Sequence, residues 1–287
     1  MLKDEIDSLA PARDFNRRSF VQTTVGGGFA AAVLPVTAQT ISTDTVGLEA
    51  GPVRVPVGDF QMSAYRAQPA GGKSLPVILV ASEIFGVHEH IADVCRRFAK
   101  QGYLAIAPEL FVRHGNAGAY TDIPKLISEV VSKASDAQVC ADLDATVAWA
   151  DANGGDVGKL GITGFCWGGR TTWRYVAHNP KVAAGVAWYG PVARNYHPGD
   201  KTIVELAADI KAPVLGLYGA ADGGIPVDTL TQLENALKAA GHTKSEMVVY
   251  PDTPHAFHAD YRPSYRKAAA DDGWARCLAW FKKNGVV

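Results

Sequence analysis

Three residues with the chemistry for acyl transfer each follow a short apolar run in this chain. Cys166 stands in Gly164-Phe165-Cys166-Trp167-Gly168-Gly169, behind the run Leu160 to Phe165 and ahead of a helix-compatible stretch, Thr171 to His178. Strand, sharp turn and helix in that order make a nucleophile elbow, where the central side chain stands proud of a sheet and glycines two residues to either side leave room for close packing. Asp222 follows Leu215 to Tyr218 in a glycine-lined loop, and His255 follows Val248 to Tyr250 in Pro251-Asp252-Thr253-Pro254-His255-Ala256-Phe257. Nucleophile, acid, histidine is a chain order that triad hydrolases use. Alone, each has a plainer reading: a small core thiol, a helix cap, a turn histidine. Three in order, each just past an apolar run, are a much less ready coincidence.

The chemistry sets a role for each. Only a thiolate attacks, and a free thiol has a pKa of about 8.5, so Cys166 needs a neighbouring base. His255 can take the proton and later return it to the leaving group, while Asp222 fixes the imidazole tautomer and stabilises its charged form. The backbone N–H groups of Trp167, next after the nucleophile, and of Ile84, after the first long apolar run, are the expected oxyanion donors. Glu83 is a charge placed directly after that buried run, which favours a functional carboxylate over a solvent-facing one.

The elements that must position these residues alternate. Pro76 to Val80 is a continuous apolar run, as in a strand buried on both faces of a parallel sheet, and His90 to Lys100 follows with helical periodicity. Next come a strand at Leu104 to Ala107, a long helical region from Ile123 to Asn153, the elbow strand, and a strand at Val182 to Trp188. Pro213 to Tyr218, a helix from Val227 to Ala240, Met247 to Tyr250 and a closing helix from Ala268 to Lys283 complete the series. Gln61 to Arg66 alternates like a half-exposed edge strand. Alternation of this kind predicts an α/β fold with a mostly parallel central sheet, helices on both faces, and ligands beyond the carboxyl ends of the strands.

With 287 residues, the chain suits one large core better than two enzyme domains. A net charge of -1 gives no electrostatic reason to expect nucleic acid or an anionic membrane surface as partner. The start of the chain differs in kind. Asn16-Arg17-Arg18-Ser19-Phe20-Val21-Gln22, the uncharged apolar stretch Thr23 to Val36, and the small-residue site ending at Ala38 resemble a bacterial twin-arginine export signal. That stretch falls short of the roughly 20 residues that a stable membrane span needs. The expected organisation is a signal at 1–38, a linker at 39–52 and a single domain at 53–287, with a periplasmic destination reached through the twin-arginine machinery. Oligomeric state is left open, and a monomer would suffice. An oxidising destination permits a disulfide among Cys95, Cys140 and Cys277, but their places in expected helices favour core packing.

Beyond the linker the sequence resembles the dienelactone hydrolase (carboxymethylenebutenolidase) family, whose members have the α/β-hydrolase fold. The resemblance rests on Glu83-Ile84-Phe85-Gly86, Pro108-Glu109-Leu110-Phe111-Val112-Arg113, the Cys166 elbow and Pro254-His255-Ala256-Phe257. It implies that Glu83 holds the resting thiol by a hydrogen bond and takes its proton when substrate displaces it. It also implies that Arg113 grips a substrate carboxylate, a task suited to a guanidinium fork. The family's second carboxylate-binding arginine would fall four residues after His255, where this chain has Ala259; Arg262 lies three further on, without matching residue by residue. The expected substrate is a small activated ester or enol-lactone, opened through an acyl-cysteine intermediate. A broad carboxylesterase or thioesterase, or a non-catalytic thiol sensor on the same fold, would share most of these features. No cofactor is expected. His88-Glu89-His90 lacks the spacing of a known helical metal site, so no metal is expected either.

Overall fold

The continuous apolar runs become the interior of the sheet. In a computed structural model, which describes residues 40–287, β3 (Leu75–Ala81) is wholly inaccessible from Val77 to Ala81. β4 (Leu104–Pro108), β5 (Gly155–Phe165), β6 (Val182–Trp188), β7 (Val214–Gly219) and β8 (Glu246–Tyr250) follow in the chain. With β1 (Leu48–Val57) and β2 (Phe60–Pro69) they form an eight-stranded sheet of order β1-β2-β4-β3-β5-β6-β7-β8. β2 is antiparallel to both neighbours, and β4 through β8 pair in parallel. This is the α/β-hydrolase arrangement. It sets β5 between β3 and β6, so the elbow, the Glu83 loop and the end of β6 share one rim.

Helices cover both faces. α1 (Glu89–Lys100) and the closing helix α6 (Lys267–Lys283) meet through Phe98, Trp274 and Phe281. A Cβ added at Gly161 of β5 would strike Phe281, so this pair lies on the Gly161 face. Gly164, three residues on and therefore on the opposite face, packs against the elbow helix α4 (Trp167–His178). α3 (Asp136–Ala152) is tied to α4 by the Asp136–Arg170 pair. α2 (Ile123–Glu129) and α5 (Val227–Ala239) complete the helices among the described residues.

Two stretches differ from expectation. The 39–52 stretch is not simply a linker, since β1 begins at Leu48 and pairs with β2 over its whole length. Pro52 and Pro56 read against a strand because proline cannot donate to a ladder; both are tolerated because β1, not β2, is the edge. Ahead of it the chain is pinned across α1, with Ile41 N–H donating to Asp260 (3.0 Å), Thr43 N–H to Asp93 (2.5 Å), and Thr43 O accepting from Arg96 (2.8 Å). The long helical region divides into α2 and α3, because Ser135 takes an extended conformation and caps α3 by accepting from Gln138 N–H.

The expected signal and its cleavage site lie outside the described residues. Among those described, no helix is long and apolar enough to cross a membrane. All four cysteines are free and buried. Burial raises the Cys95, Cys140 and Cys277 thiols well above their usual range, Cys140 to about 12, which leaves them inert core residues.

Candidate active site

Cys166 takes a conformation that few side chains adopt, with φ 54° and ψ −118°. Its N–H donates to Trp188 O (3.0 Å), and its carbonyl accepts from Gly169 and Arg170 as α4 begins. The flanking glycines are required by contact. A Cβ at Gly164 would lie 2.1 Å from Gly168 O, and one at Gly168 would lie 2.2 Å from Ala81 O. The elbow is therefore wedged between β3 and its own helix with no space for methyl groups.

His255 and Asp222 come from the ends of β8 and β7, next along the rim. Asp222 Oδ2 lies 2.6 Å from His255 Nδ1, and Asp222 Oδ1 accepts from Gly224 N–H (2.9 Å), so both carboxylate oxygens are engaged. That bond places the Nδ1 proton toward Asp222 and leaves Nε2 for the Cys166 thiol. Burial works against an imidazolium here, but the fields of Cys166 and Asp222 outweigh it and push His255 up to about 10. Cys166, Asp222 and His255 are all closed to solvent. Ile84 and Trp167 follow the adjacent strands β3 and β5, which pair at Ala81 and Gly164.

Glu83 is fully buried and stands at the centre of a second cluster. Its Oε2 accepts from Tyr261 O–H (2.6 Å) and lies 3.4 Å from His88 Nε2 and 4.0 Å from Arg262 Nη2. Arg262 Nε in turn donates to the Tyr261 hydroxyl (3.1 Å), and its guanidinium lies over Phe85 and Tyr261. Burial alone would raise the Glu83 carboxyl, but Arg262, His88 and Tyr261 together hold it well below the usual carboxylate range. Burial lowers His88, which therefore contributes a neutral N–H while Arg262 carries the positive charge.

Known proteins resemble this chain along nearly its whole length. The model of the Dienelactone hydrolase family matches residues 62–285. The "Putative carboxymethylenebutenolidase" of Methylorubrum extorquens is 56% identical, over 99% of this chain and 98% of its own length. The protein of the same description from Escherichia coli K12 is 50% identical, over 92% of this chain and 97% of its own. The crystal structure of a "Putative Dienelactone Hydrolase" from Klebsiella pneumoniae superposes with a TM-score of 0.79 at 54% identity, covering 82% of this chain and 98% of that one. The chain belongs to the dienelactone hydrolase family.

It is accordingly a hydrolase, and the resemblance drawn from its motifs extends to the fold. Two expectations about a dienelactone hydrolase site are not met. Glu83 makes no hydrogen bond to the thiol: Oε2 takes Tyr261, and Oε1 has no partner among the described residues. Arg113 does not join the cluster; its guanidinium pairs with Asp142 on α3 and stacks on Phe60. Arg113 follows Phe111, whose ring packs on Trp167, so the segment touches the site while its arginine turns toward α3. Arg262 does reach Glu83, although it matches no family position, because the chain after His255 crosses the rim from β8 toward β3. Ala259 is fully buried.

Reading the sequence missed Tyr261, which carried no signal beyond its neighbour Arg262, and weighed His88 only within the His88-Glu89-His90 run, not as a partner of Glu83. Tyr189, one residue past β6, is an aromatic that sequence alone leaves between pocket and core.

Proposed function

We propose that this dienelactone hydrolase family member opens an activated ester or enol-lactone, of the carboxymethylenebutenolide type, through an acyl-cysteine intermediate. The observation that carries the reading is the buried line at the rim: Cys166 on a strained elbow, and His255 beside it held by Asp222 at 2.6 Å. His255 takes the thiol proton, and the Cys166 sulfur bonds to the carbonyl carbon. The N–H groups of Ile84 and Trp167 receive the charge on the carbonyl oxygen. Collapse breaks the C–O bond, and His255 returns the proton to the leaving oxygen. Water then hydrolyses the thioester by the same steps. A thiolate suits an enol ester because the departing enolate is only weakly basic. Glu83, ionised and held by Tyr261, His88 and Arg262, can relay the thiol proton to His255 when substrate displaces it. Arg262 is the cation available to a substrate carboxylate.

A broader carboxylesterase or thioesterase is the second reading. It is favoured by the engagement of Arg113 with Asp142 and by Ala259, which leave one arginine where a lactone diacid would use two. On either reading the chain is exported folded to the periplasm, which the run Asn16 to Gln22 with its apolar sequel supports. The test is turnover of dienelactone and p-nitrophenyl acetate by the wild type and by Cys166→Ala. Loss of both activities in the variant, with a mass shift on Cys166 in the trapped wild type, is expected. Activity that survives the substitution removes the nucleophile. Cell fractionation with and without Arg17→Lys/Arg18→Lys tests export.

A further inference from the structure

Tyr189 follows β6, on the other side of the nucleophile's strand from β3, which leads to Ile84. β5 is paired on one side with β3, whose end leads to Ile84, and on the other with β6, whose Trp188 pairs with Phe165 immediately before Tyr189. Tyr189 is one of the few residues other than glycine with positive φ, 38°, and two of the others are Cys166 and Ala256, the residue after His255. Strained backbone thus gathers at the catalytic rim, where such conformations persist only if the surroundings over-determine them. The surroundings do so. Tyr189 N–H donates to Leu217 O (2.8 Å), and the ring packs edge-on to His255 (5.1 Å between centroids) and Phe257 (5.3 Å).

A ring so fixed leaves its hydroxyl little freedom, yet that hydroxyl is fully buried and has no hydrogen-bond partner among the described residues. Another buried polar atom of the same site, Glu83 Oε1, is also without a partner among the described residues. An unpartnered buried hydroxyl is costly, and its presence points to a partner that arrives with the ligand. The charges that act on this phenol are those of Glu83, Tyr261, Cys166 and Arg262, which places it among the reacting groups. Burial and the anionic neighbours hold its proton on well above the ordinary range, so the hydroxyl has a proton to donate to a ligand.

We propose that the Tyr189 hydroxyl is a catalytic hydrogen-bond donor to the leaving oxygen of the substrate, on the β6 side of Cys166, away from the β3 side that carries Ile84. This rests on the acyl-cysteine reading above. As the C–O bond breaks, its electron pair passes to the leaving oxygen, the proton comes from His255, and Tyr189 keeps its own proton while sharing it. The contact is strongest where charge on that oxygen is greatest, and so it matters most for basic leaving groups.

The experiment is a series of aryl acetates, from p-nitrophenyl to phenyl and p-methoxyphenyl, hydrolysed by wild type, Tyr189→Phe and Cys166→Ala. Phenylalanine keeps the ring contacts with His255 and Phe257. The expected result for Tyr189→Phe is a loss of kcat/KM of about tenfold or more on p-methoxyphenyl acetate and only about twofold on p-nitrophenyl acetate, a steeper dependence on leaving-group pKa. A uniform loss across the series, or none, overturns the inference and leaves the nucleophile reading intact. Turnover that survives in Cys166→Ala overturns both. Should Tyr189→Phe fold poorly, 3-fluorotyrosine at position 189 supplies a more acidic phenol of nearly the same shape. It is expected to flatten the leaving-group dependence, and an unchanged slope refutes the donor role.

Discussion

The Tyr261 hydroxyl donates a 2.6 Å hydrogen bond to Glu83 Oε2, while Glu83 Oε1 has no partner among the described residues and so makes no bond to the Cys166 thiol. If Glu83 must move to take up a proton, Tyr261 is what restrains it. Tyr261→Phe removes a hydrogen bond to a charged group, a loss of roughly 1.5–3 kcal/mol, while Arg262 and His88 remain to keep the carboxylate ionised. Alkylation of Cys166 by iodoacetamide without substrate is expected to quicken several-fold in Tyr261→Phe. The gain should vanish in a Glu83→Gln background. Equal rates in wild type and Tyr261→Phe would show that this bond does not restrain Glu83.

The Asp222–His255 bond predicts a pH signature. Asp222 is one of the charges that push His255 up to about 10. Asp222→Asn can still accept the Nδ1 proton but removes the charge, so the imidazolium is less favoured and the alkaline limb of kcat/KM should move from near 10 toward neutrality. Activity should fall on the order of a thousandfold or more. The sign for stability follows. A base with a raised folded pKa stabilises fully below its unfolded value of about 6.5 and loses that contribution as pH rises through about 10. The wild type should therefore lose Tm between pH 7 and 10 more steeply than Asp222→Asn. Parallel curves would remove the coupling.

The features that could be read before folding were those whose signal is local. The elbow was legible because Gly164 and Gly168 stand at fixed spacing around Cys166, and contact with Gly168 O and Ala81 O makes that spacing obligatory. Continuous apolar runs marked β3 to β7 for the same reason, since burial on both faces leaves no polar alternation. β1 was hidden by Pro52 and Pro56, whose tolerance depends on edge position, a property of the whole sheet. The cluster around Glu83 was hidden because Tyr261 and Arg262 reach it from 178 and 179 positions along the chain. Spacing within the irregular stretch after His255 carries no period from which a direction could be derived. Arg113 shows the converse: its motif matched, but Asp142, supplied by a helix whose start had not been placed, claims its guanidinium.

Arg170, four residues after the nucleophile, is bidentate to Asp136 (2.7 and 2.8 Å) and almost wholly buried. It also donates to the carbonyls of Arg194 and Lys201 and so ties the chain after β6 to α3 and α4. Breaking one side of such a pair strands a buried charge. Because Arg174 also pairs with Asp136 (2.5 Å), it is the loss of Asp136 that strands Arg170: Asp136→Leu should destabilise by about 3–5 kcal/mol, and Arg170→Met/Asp136→Leu should recover much of that. Chemical denaturation of the single and double variants is the measurement. A double variant no better than the single one would show that the bonds to Arg194 and Lys201, rather than the ion pair, dominate.

Glu109 sits under the loop that carries Glu83 and Ile84. Its Oε2 accepts from Val87 N–H (2.9 Å), and its Oε1 fills the space where a Cβ at Gly86 (φ 75°) would come within 2.3 Å. Burial raises this carboxyl to about 7. A carboxyl whose folded pKa lies above its unfolded value contributes stability below about pH 4.5 and loses it as pH rises through about 7. Glu109→Gln keeps an acceptor for Val87 without a titrating proton. Its unfolding free energy should change less between pH 5 and 8 than that of the wild type, by at most about 3 kcal/mol. Identical pH profiles would mean that the carboxyl titrates as if solvated.

His258 gives the opposite sign. Its ring is buried among Phe165, Trp188, Trp274 and His90, with centroids 5.1, 4.5, 6.1 and 5.5 Å away, and its Nδ1 has no partner among the described residues. Burial, His90 and Arg97 drive it well below 6.5, against weaker pulls from Asp260 and Glu83. The imidazole is therefore neutral in the folded protein and takes a proton on unfolding, so its contribution is present above about pH 6.5 and is lost as the pH falls. Acid should loosen this cluster and, with it, the segment that carries His255, Asp260 and Tyr261. Trp188 and Trp274 lie against the ring and report the change through their fluorescence. In His258→Phe, which keeps an aromatic ring without a titrating nitrogen, the acid midpoint of tryptophan fluorescence and of reversible activity loss should move to lower pH. A midpoint shared by the two proteins would show that His258 does not set the acid limit.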